Sequence, residues 1–256
     1  MVRLPVSQLE VELQPPAGAD DLLLVEAPRL DIELAIELAK RLTRSPSGGL
    51  SIDQLPIYDL DALYLLLRRM CFGDVIRAEA VCPARQCGKP FDISFGIGEY
   101  LAHHRPKRPT GLTAIEEPGW YRLVGAPATF RPPSAADLMA VNGSENVEQQ
   151  LIDRCMRPRG QRSVVIKRIQ QAMASMAPNL CQELQATCPE CQTSISLRFD
   201  PATYTMIELR AEAISIHEDV HTLASAYHWP EADILALPRA RRARYVEMAV
   251  EQRRPA

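Results

Sequence analysis

The sequence predicts an α+β protein that is richer in helix than in strand and consists of two similar halves. Helical spacing of apolar residues precedes two cysteine pairs, and strand-like alternation follows each pair. These features occur in the same order twice along the chain. The chain has 256 residues, enough for a substantial core. We therefore expect two units of helices and a β-hairpin, followed by a helical C-terminal extension.

The two halves come into register when Cys87 is placed on Cys191. Apolar residues then coincide at the fourth, sixth and eighth positions, and a tyrosine coincides at the thirteenth. The matched residues are Phe91, Ile93, Phe95 and Tyr100 in the first half, and Ile195, Leu197, Phe199 and Tyr204 in the second. Upstream, Leu60, Leu63, Leu67 and Met70 match Ile166, Ile169, Met173 and Met176 at equal distances from Cys82 and Cys188. Chance alignment of cysteine, phenylalanine and tyrosine together is improbable, so the sequence predicts an internal duplication.

This register divides the chain into four segments. The first half covers residues 1–105 and the second covers 118–210, each with a strand, helices and a cysteine hairpin. Residues 106–117, rich in helix-breaking types, form the predicted linker. Residues 211–256 form a helical C-terminal tail. Gly73 is suited to the position just beyond the helix that precedes the first hairpin.

The two cysteine pairs have the spacing of metal ligands. Cys82 and Cys87 form a C-x4-C pair, and Cys188 and Cys191 form a C-x2-C pair. In a chain without a secretion signal, close pairs favour metal binding over disulfides. Structural zinc takes four tetrahedral ligands, and each hairpin supplies two. The sequence therefore predicts one structural zinc ion that joins the halves, with four reduced thiols as the alternative. A closed thiolate shell predicts stability rather than catalysis.

The remaining cysteines and two histidines need separate roles. Cys181 lies shortly before the second pair, and His103 and His104 follow the first hairpin, so these three provide alternative ligands. Cys71 and Cys155 stand alone and are expected to serve as small core residues.

A second metal motif lies near the C-terminus. His217, Glu218 and His221 fit H-E-x-x-H, in which two histidines bind zinc and the glutamate activates water. This motif predicts a metallopeptidase as an alternative function. Catalytic zinc needs a third ligand, however. The glycine and histidine that follow the motif in metzincins are missing here, since Ala224 and His228 do not fit that spacing.

The C-terminal tail has a helical pattern and a concentration of positive charge. A His-Trp-Pro break separates two helical stretches, and an amphipathic tail of this kind is typical of a segment that docks on a partner. The residues expected to contact a partner are Trp229, Arg239, Arg241, Arg242 and Arg244. The same arginines could bind phosphate, which makes a zinc-ribbon nucleic-acid-binding protein a further alternative, or they could pair with acidic residues.

Composition limits these alternatives. The net charge is −3, so no global basic field attracts nucleic acid, and aromatic residues make up only 5% of the chain, which offers few stacking platforms. No apolar run is long enough to span a membrane, and the N-terminus lacks the apolar core of a signal peptide. We therefore expect a cytoplasmic protein.

Three passages of the chain resemble a known family. They are LPVSQLEVELQPPAGADDLLLVEA near the start, GDVIRAEAVCPARQCGKPFDISFGIGEYLAHHRP around the first hairpin, and EDVHTLASAYHWPEADILALPRARRARYVEM near the end. The chain is similar to the baseplate hub assembly proteins of T-even-type contractile phage tails and their relatives in phage-like injection systems. The resemblance implies a non-enzymatic factor that helps to assemble a tail or baseplate in a bacterial cell and binds other tail or baseplate proteins.

Overall fold

The computed structural model describes residues 1–46 and 48–253, and these residues form an α+β fold. About 47% of the chain is helical, and the strands form small antiparallel sheets. The predicted fold class, with more helix than strand, is confirmed. Within the described ranges, no helix combines the length and the apolar character needed to cross a bilayer.

The first half contains a three-stranded sheet and, near its end, a long hairpin followed by a short helix. Its elements are β1 (Val2–Arg3), β2 (Glu10–Leu13), α1 (Gly18–Glu26), α2 (Ile32–Leu42), β3 (Thr43–Arg44), a 3-10 helix (Ile52–Gln54), α3 (Ile57–Phe72), β4 (Val75–Val81), β5 (Pro90–Gly96) and α4 (Ile97–His103). The sheet has the order β1-β2-β3, and β4 pairs with β5 as a separate hairpin. Gly73 follows α3 with a φ of 86°, a left-handed conformation that glycine adopts without steric cost.

The second half has a similar order of elements, with three strands rather than two before its first helix. It contains β6 (Leu112–Ala114), β7 (Tyr121–Leu123), β8 (Thr129–Phe130), α5 (Ala135–Val141), α6 (Val147–Cys155), β9 (Met156–Arg157), α7 (Ser163–Met176), β10 (Gln182–Thr187), β11 (Ser194–Phe199) and α8 (Pro201–Glu212). In both halves, two helices follow a strand of a small sheet, the next strand returns antiparallel to it, and a helix then leads into the hairpin.

The predicted linker 106–117 is not wholly irregular. Leu112–Ala114 forms β6, which pairs antiparallel with β7. The cause is burial, because Leu112 lies opposite Leu123 and both side chains are buried in the core of the second half. The predicted linker therefore includes one strand of the four-stranded sheet.

Helix α3 is central to the first half. Leu60, Leu63 and Leu67 are almost completely buried along one side of it, which confirms this part of the predicted apolar face. Met70, the fourth predicted member, is 44% exposed because it lies in the last turn, beyond the packed part of the helix. Tyr64 Oη donates a hydrogen bond of 2.6 Å to a carbonyl of α2, and α3 also packs along α8. α3 thus joins both halves.

The tail folds back onto the first half. It consists of α9 (Ile216–Tyr227), α10 (Glu231–Leu235) and α11 (Arg239–Arg253). α9 ends at Tyr227, and the next residue, His228, has a φ of 56°, which confirms the predicted His-Trp-Pro break. α9 packs against α1, and Pro238, just before α11, forms a β-bridge with Ala17, just before α1.

A buried ion-pair network fixes the tail in place. Asp21 on α1 has a fully buried side chain that pairs with both Arg239 and Arg242 of α11. Arg239 Nε lies 2.6 Å from the Asp21 carboxylate. Arg242 Nε also lies 3.0 Å from Asp219 on α9. A buried pair of this kind is costly to break, because removing one partner leaves an uncompensated charge.

This network corrects the predicted partner surface. Arg242 is 3% exposed and Arg239 is committed to Asp21, so neither is available to a partner while the tail is docked. Arg241 and Arg244 are exposed, and Trp229 is partly exposed. The arginine cluster is therefore divided between an internal role and a surface role.

Replacement of Arg242 by alanine is expected to reduce the free energy of unfolding by about 3 kcal/mol, since it removes one of the two arginines that neutralise the fully buried Asp21 and also removes the partner of Asp219. Urea unfolding followed by circular dichroism measures the change. Arg241→Ala is the matched control and should stay within about 0.5 kcal/mol of wild type. Equal effects of the two substitutions would contradict the internal role of Arg242.

Candidate metal centre

The four predicted cysteines lie in the turns of the two hairpins, which share one register. Val81 pairs with Pro90 at the last position before the first turn, and Thr187 pairs with Ser194 at the corresponding position of the second. In each hairpin, this last pair joins the residue directly before the first cysteine to the residue three positions after the second cysteine. The strands therefore hold the two turns at equivalent places.

The two turns also close in the same way. Cys82 N donates to the Lys89 carbonyl at 3.0 Å, and Cys188 N donates to the Thr193 carbonyl at 2.9 Å. The residue directly after the second cysteine is left-handed in each turn, with φ of 58° at Gly88 and 60° at Gln192. Both turns thus bring the ends of a cysteine pair together, although the first contains two more residues.

The four sulfur atoms form one compact group. All lie within 4.8 Å of one another. Cys82 Sγ is 3.6 Å from Cys191 Sγ, and Cys87 Sγ is 3.8 Å from Cys188 Sγ, so each of these contacts joins the two halves. A tetrahedral shell with zinc–sulfur bonds of about 2.3 Å has edges of about 3.8 Å. Disulfide bonds are excluded, because their sulfur atoms are about 2 Å apart.

The predicted grouping of Cys82, Cys87, Cys188 and Cys191 is therefore confirmed, and together they can hold a metal ion. Four thiolates in a tetrahedron suit zinc. Within the described part of the chain, no other set of three or more histidine, cysteine or carboxylate ligands lies close enough to hold a metal.

A small apolar cluster supports the sulfur atoms. Cys82 and Cys188 are buried, and Phe91 and Ile195, which occupy matching positions after the two pairs, pack beside them. Cys191 is exposed at the outer side. Lys89 and Glu190 form an exposed ion pair of 3.0 Å across the two turns, which contributes at most about 1 kcal/mol. Cys82 and Cys188 are thus shielded from solvent, Cys87 is partly shielded, and Cys191 is not shielded.

The close packing of the thiols contributes to shifts in the pKa values of Cys82 and Cys191. A backbone hydrogen bond from Ala84 favours the Cys82 thiolate, but desolvation and the neighbouring sulfur atoms outweigh it and raise the pKa of Cys82 to about 12. The side chain and backbone of Thr193 lower the pKa of Cys191 to about 6. Four thiolates this close need a cation, and metal binding releases the protons that remain. Thr193 is a supporting residue that spacing analysis of the cysteines does not reveal.

The H-E-x-x-H residues lie on the surface of the C-terminal tail. His217, Glu218 and His221 all lie exposed on α9. His217 Nε2 is 3.5 Å from a carboxylate oxygen of Glu26. The described residues provide no third ligand that would complete a zinc site with them.

The alternative ligands lie outside the sulfur group. Cys181 Sγ accepts a hydrogen bond from Arg198 Nη2 at 3.8 Å. His104 Nδ1 lies 2.9 Å from the Tyr100 carbonyl, and the His103 ring packs against the His104 ring. Cys155 is fully buried, which confirms its predicted core position, and Cys71 is partly buried.

Comparisons of the chain with protein-family models, curated proteins and solved structures find no match. The family resemblance of the sequence therefore remains an expectation, and the function has to be argued from the geometry.

Elemental analysis of native, reduced protein is expected to find one zinc per chain, and Cys188→Ser should lose it. The same variant should lose about 3 kcal/mol or more of folding free energy, because structural zinc supplies folding energy directly. Cys181→Ser is the matched control, since Cys181 lies outside the group, and it should keep the metal. His217→Ala should also keep it. A Cys188→Ser variant that melts like wild type would rule out the metal clamp.

Proposed function

We propose that this protein is a non-enzymatic structural or assembly factor whose two halves are joined by a structural zinc ion. The observation that carries the proposal is the closed group of four sulfur atoms, two from each hairpin. A metal with four thiolate ligands has no open position for water or substrate. His217, Glu218 and His221, the other metal motif, have no third ligand among the described residues.

The choice of zinc rests on the donor set. Zinc favours tetrahedral thiolate shells in structural sites, and the sulfur separations of 3.6 Å and 3.8 Å suit such a shell. A single iron ion accepts the same ligands but would colour the protein, whereas zinc is colourless. Elemental analysis therefore distinguishes the two metals.

We further propose that the halves arose by duplication. The hairpins share one register, and Gly88 and Gln192 adopt the same left-handed conformation at equivalent positions. The matched tyrosines also behave alike, because each reaches across to the other half. Tyr100 Oη donates to the Leu180 carbonyl at 2.6 Å, and Tyr204 Oη donates to a backbone carbonyl of β4 at 3.1 Å. In a duplicated protein, one cysteine hairpin supplies two ligands of a zinc site and its copy supplies the other two.

The assembly role is supported by the sequence resemblance to baseplate hub assembly proteins of contractile phage tails. This resemblance implies a protein of the bacterial cytoplasm that binds another tail or baseplate protein. An aromatic cluster on the tail provides a surface for this contact. The ring centroids of Tyr227 and Trp229 are 5.0 Å apart, and those of Trp229 and Tyr245 are 5.1 Å apart. Exposed Arg241 and Arg244 lie on α11, and the Arg241 guanidinium is 5.7 Å from the Tyr245 ring. Aromatic residues and arginine are enriched in protein interfaces.

Deletion of the gene from its phage or phage-like cluster is expected to leave tails without complete baseplates, as judged by electron microscopy, and the wild-type gene should restore them. A variant with Arg241 and Arg244 both replaced by glutamate should fold and bind zinc but fail to restore assembly. The control replaces exposed Arg29 and Lys167 by glutamate, which changes the net charge equally. Complete baseplates without the gene would contradict the assembly role. Full rescue by the variant with Arg241 and Arg244 replaced would exclude the proposed surface.

A further inference from the structure

A cavity of about 560 Å³ lies between the two halves, apart from the metal centre. Its walls come from α2, α3, α5, the loop before β10, β11 and α8, and none of the four metal-binding cysteines lines it. Much of the lining is aliphatic and includes Ile32, Ala35, Leu60, Leu138, Leu180 and Met206. A cavity of this size is in the range that binds small molecules or a single large side chain.

Most polar groups of the lining already have structural roles. Asp31 accepts from Leu34 N at 3.1 Å and caps α2, and Asp200 accepts from Thr203 N at 3.0 Å and caps α8. Arg198, the cationic side chain among the lining residues, is exposed to solvent. These groups leave the cavity with an excess of carboxylates over cations.

Asp61 is the exception. It is only 7% exposed, lines the cavity from α3, and forms no hydrogen bond or ion pair with any described residue. The other buried aspartates among the described residues are all paired: Asp21 with arginines, Asp137 with Arg131, Asp59 with two backbone N–H groups and Asp20 with the backbone N–H of Ala17. Burial of an unpaired carboxylate is costly, so a group retained in this state is a candidate for ligand binding.

We propose that the cavity binds an organic cation on an apolar stem, an alkylguanidinium or alkylammonium group, with Asp61 as its counter-ion. Asp31, Asp61 and Asp200 outnumber Arg198, so an anion is disfavoured. A divalent metal ion is disfavoured because the described carboxylates of this cavity do not form a group of three or more ligands within reach of one ion. The aliphatic walls would cover the stem and exclude water from the ion pair.

Isothermal titration calorimetry on the zinc-loaded protein tests this directly at a pH above about 8, where Asp61 is ionised. Butylguanidinium and butylammonium chloride are the probes, and butan-1-ol and sodium butanoate are the neutral and anionic controls of the same length. A cation is expected to bind at least about 10-fold more tightly than butan-1-ol, and Asp61→Asn should abolish this preference. Equal affinity for butan-1-ol and the cations, or a preference that survives in Asp61→Asn, would overturn the proposal.

A second variant keeps the test independent of the charge change. Leu138→Trp adds bulk at the partly exposed wall and should weaken cation binding at least about 10-fold while Asp61 remains. Unchanged binding in this variant would place the cation elsewhere. A capped arginine, Nα-acetyl-arginine-methylamide, then distinguishes the sources. If it binds like butylguanidinium, a side chain of a partner protein fits the site; if only the small cations bind, a free small molecule is the ligand.

The stability of Asp61→Asn provides the folding control. Burial and the nearby Asp200 raise the pKa of Asp61 to about 8, from 3.8 in the unfolded chain. Between about pH 4 and about pH 8, the carboxyl is ionised in the unfolded chain but still protonated in the folded one. The wild type therefore loses stability as the pH rises through this range. Asparagine does not titrate, so the variant should gain stability relative to wild type over this range. The neighbouring titratable side chains of the cavity, Asp31, Arg198 and Cys181, are the same in both proteins. A variant less stable than wild type at pH 7 would reveal a partner of Asp61 and contradict the site.

Discussion

Each cysteine hairpin is a two-stranded ribbon, and a ribbon of that size is marginally stable alone. Among the described strands, β4 pairs only with β5 and β10 only with β11, so no backbone ladder joins the two hairpins. Their tips meet at four sulfur atoms and a small group of apolar side chains. A metal there would tie residues 101 and 109 positions apart, a link that removes much freedom from the unfolded chain. The relative placement of the two hairpin tips would therefore depend on it.

The bases of the hairpins are held by different means. Tyr100 and Tyr204 donate to carbonyls of the opposite half, while Phe199 packs edge-on against Tyr100 with ring centroids 5.4 Å apart. Farther away, Asp21 draws two arginines of α11 into the interior and so attaches the tail. Since these contacts do not involve the sulfur atoms, loss of the metal is expected to loosen the hairpin tips first and leave the tail docked.

Local spacing was sufficient to predict the cysteine group and the buried face of α3 up to Leu67. Both depend on short-range periodicity and on the chemistry of paired thiols, which can be recognised in sequence. Other features depend on distant partners. Arg242 is buried because Asp21, 221 positions away, neutralises it, and nothing near Arg242 in the sequence indicates this. The sequence shows Asp61 as a charge within an apolar helical run, but the cavity beside it is formed by residues of both halves.

X-ray absorption spectroscopy at the zinc edge of the native protein tests the metal clamp most directly, because it reports the ligands of the metal itself. The account predicts four sulfur neighbours at about 2.3 Å and no nitrogen or oxygen in the first shell. A shell that contains histidine nitrogen or water oxygen, or a protein that binds no zinc when reduced, would contradict it.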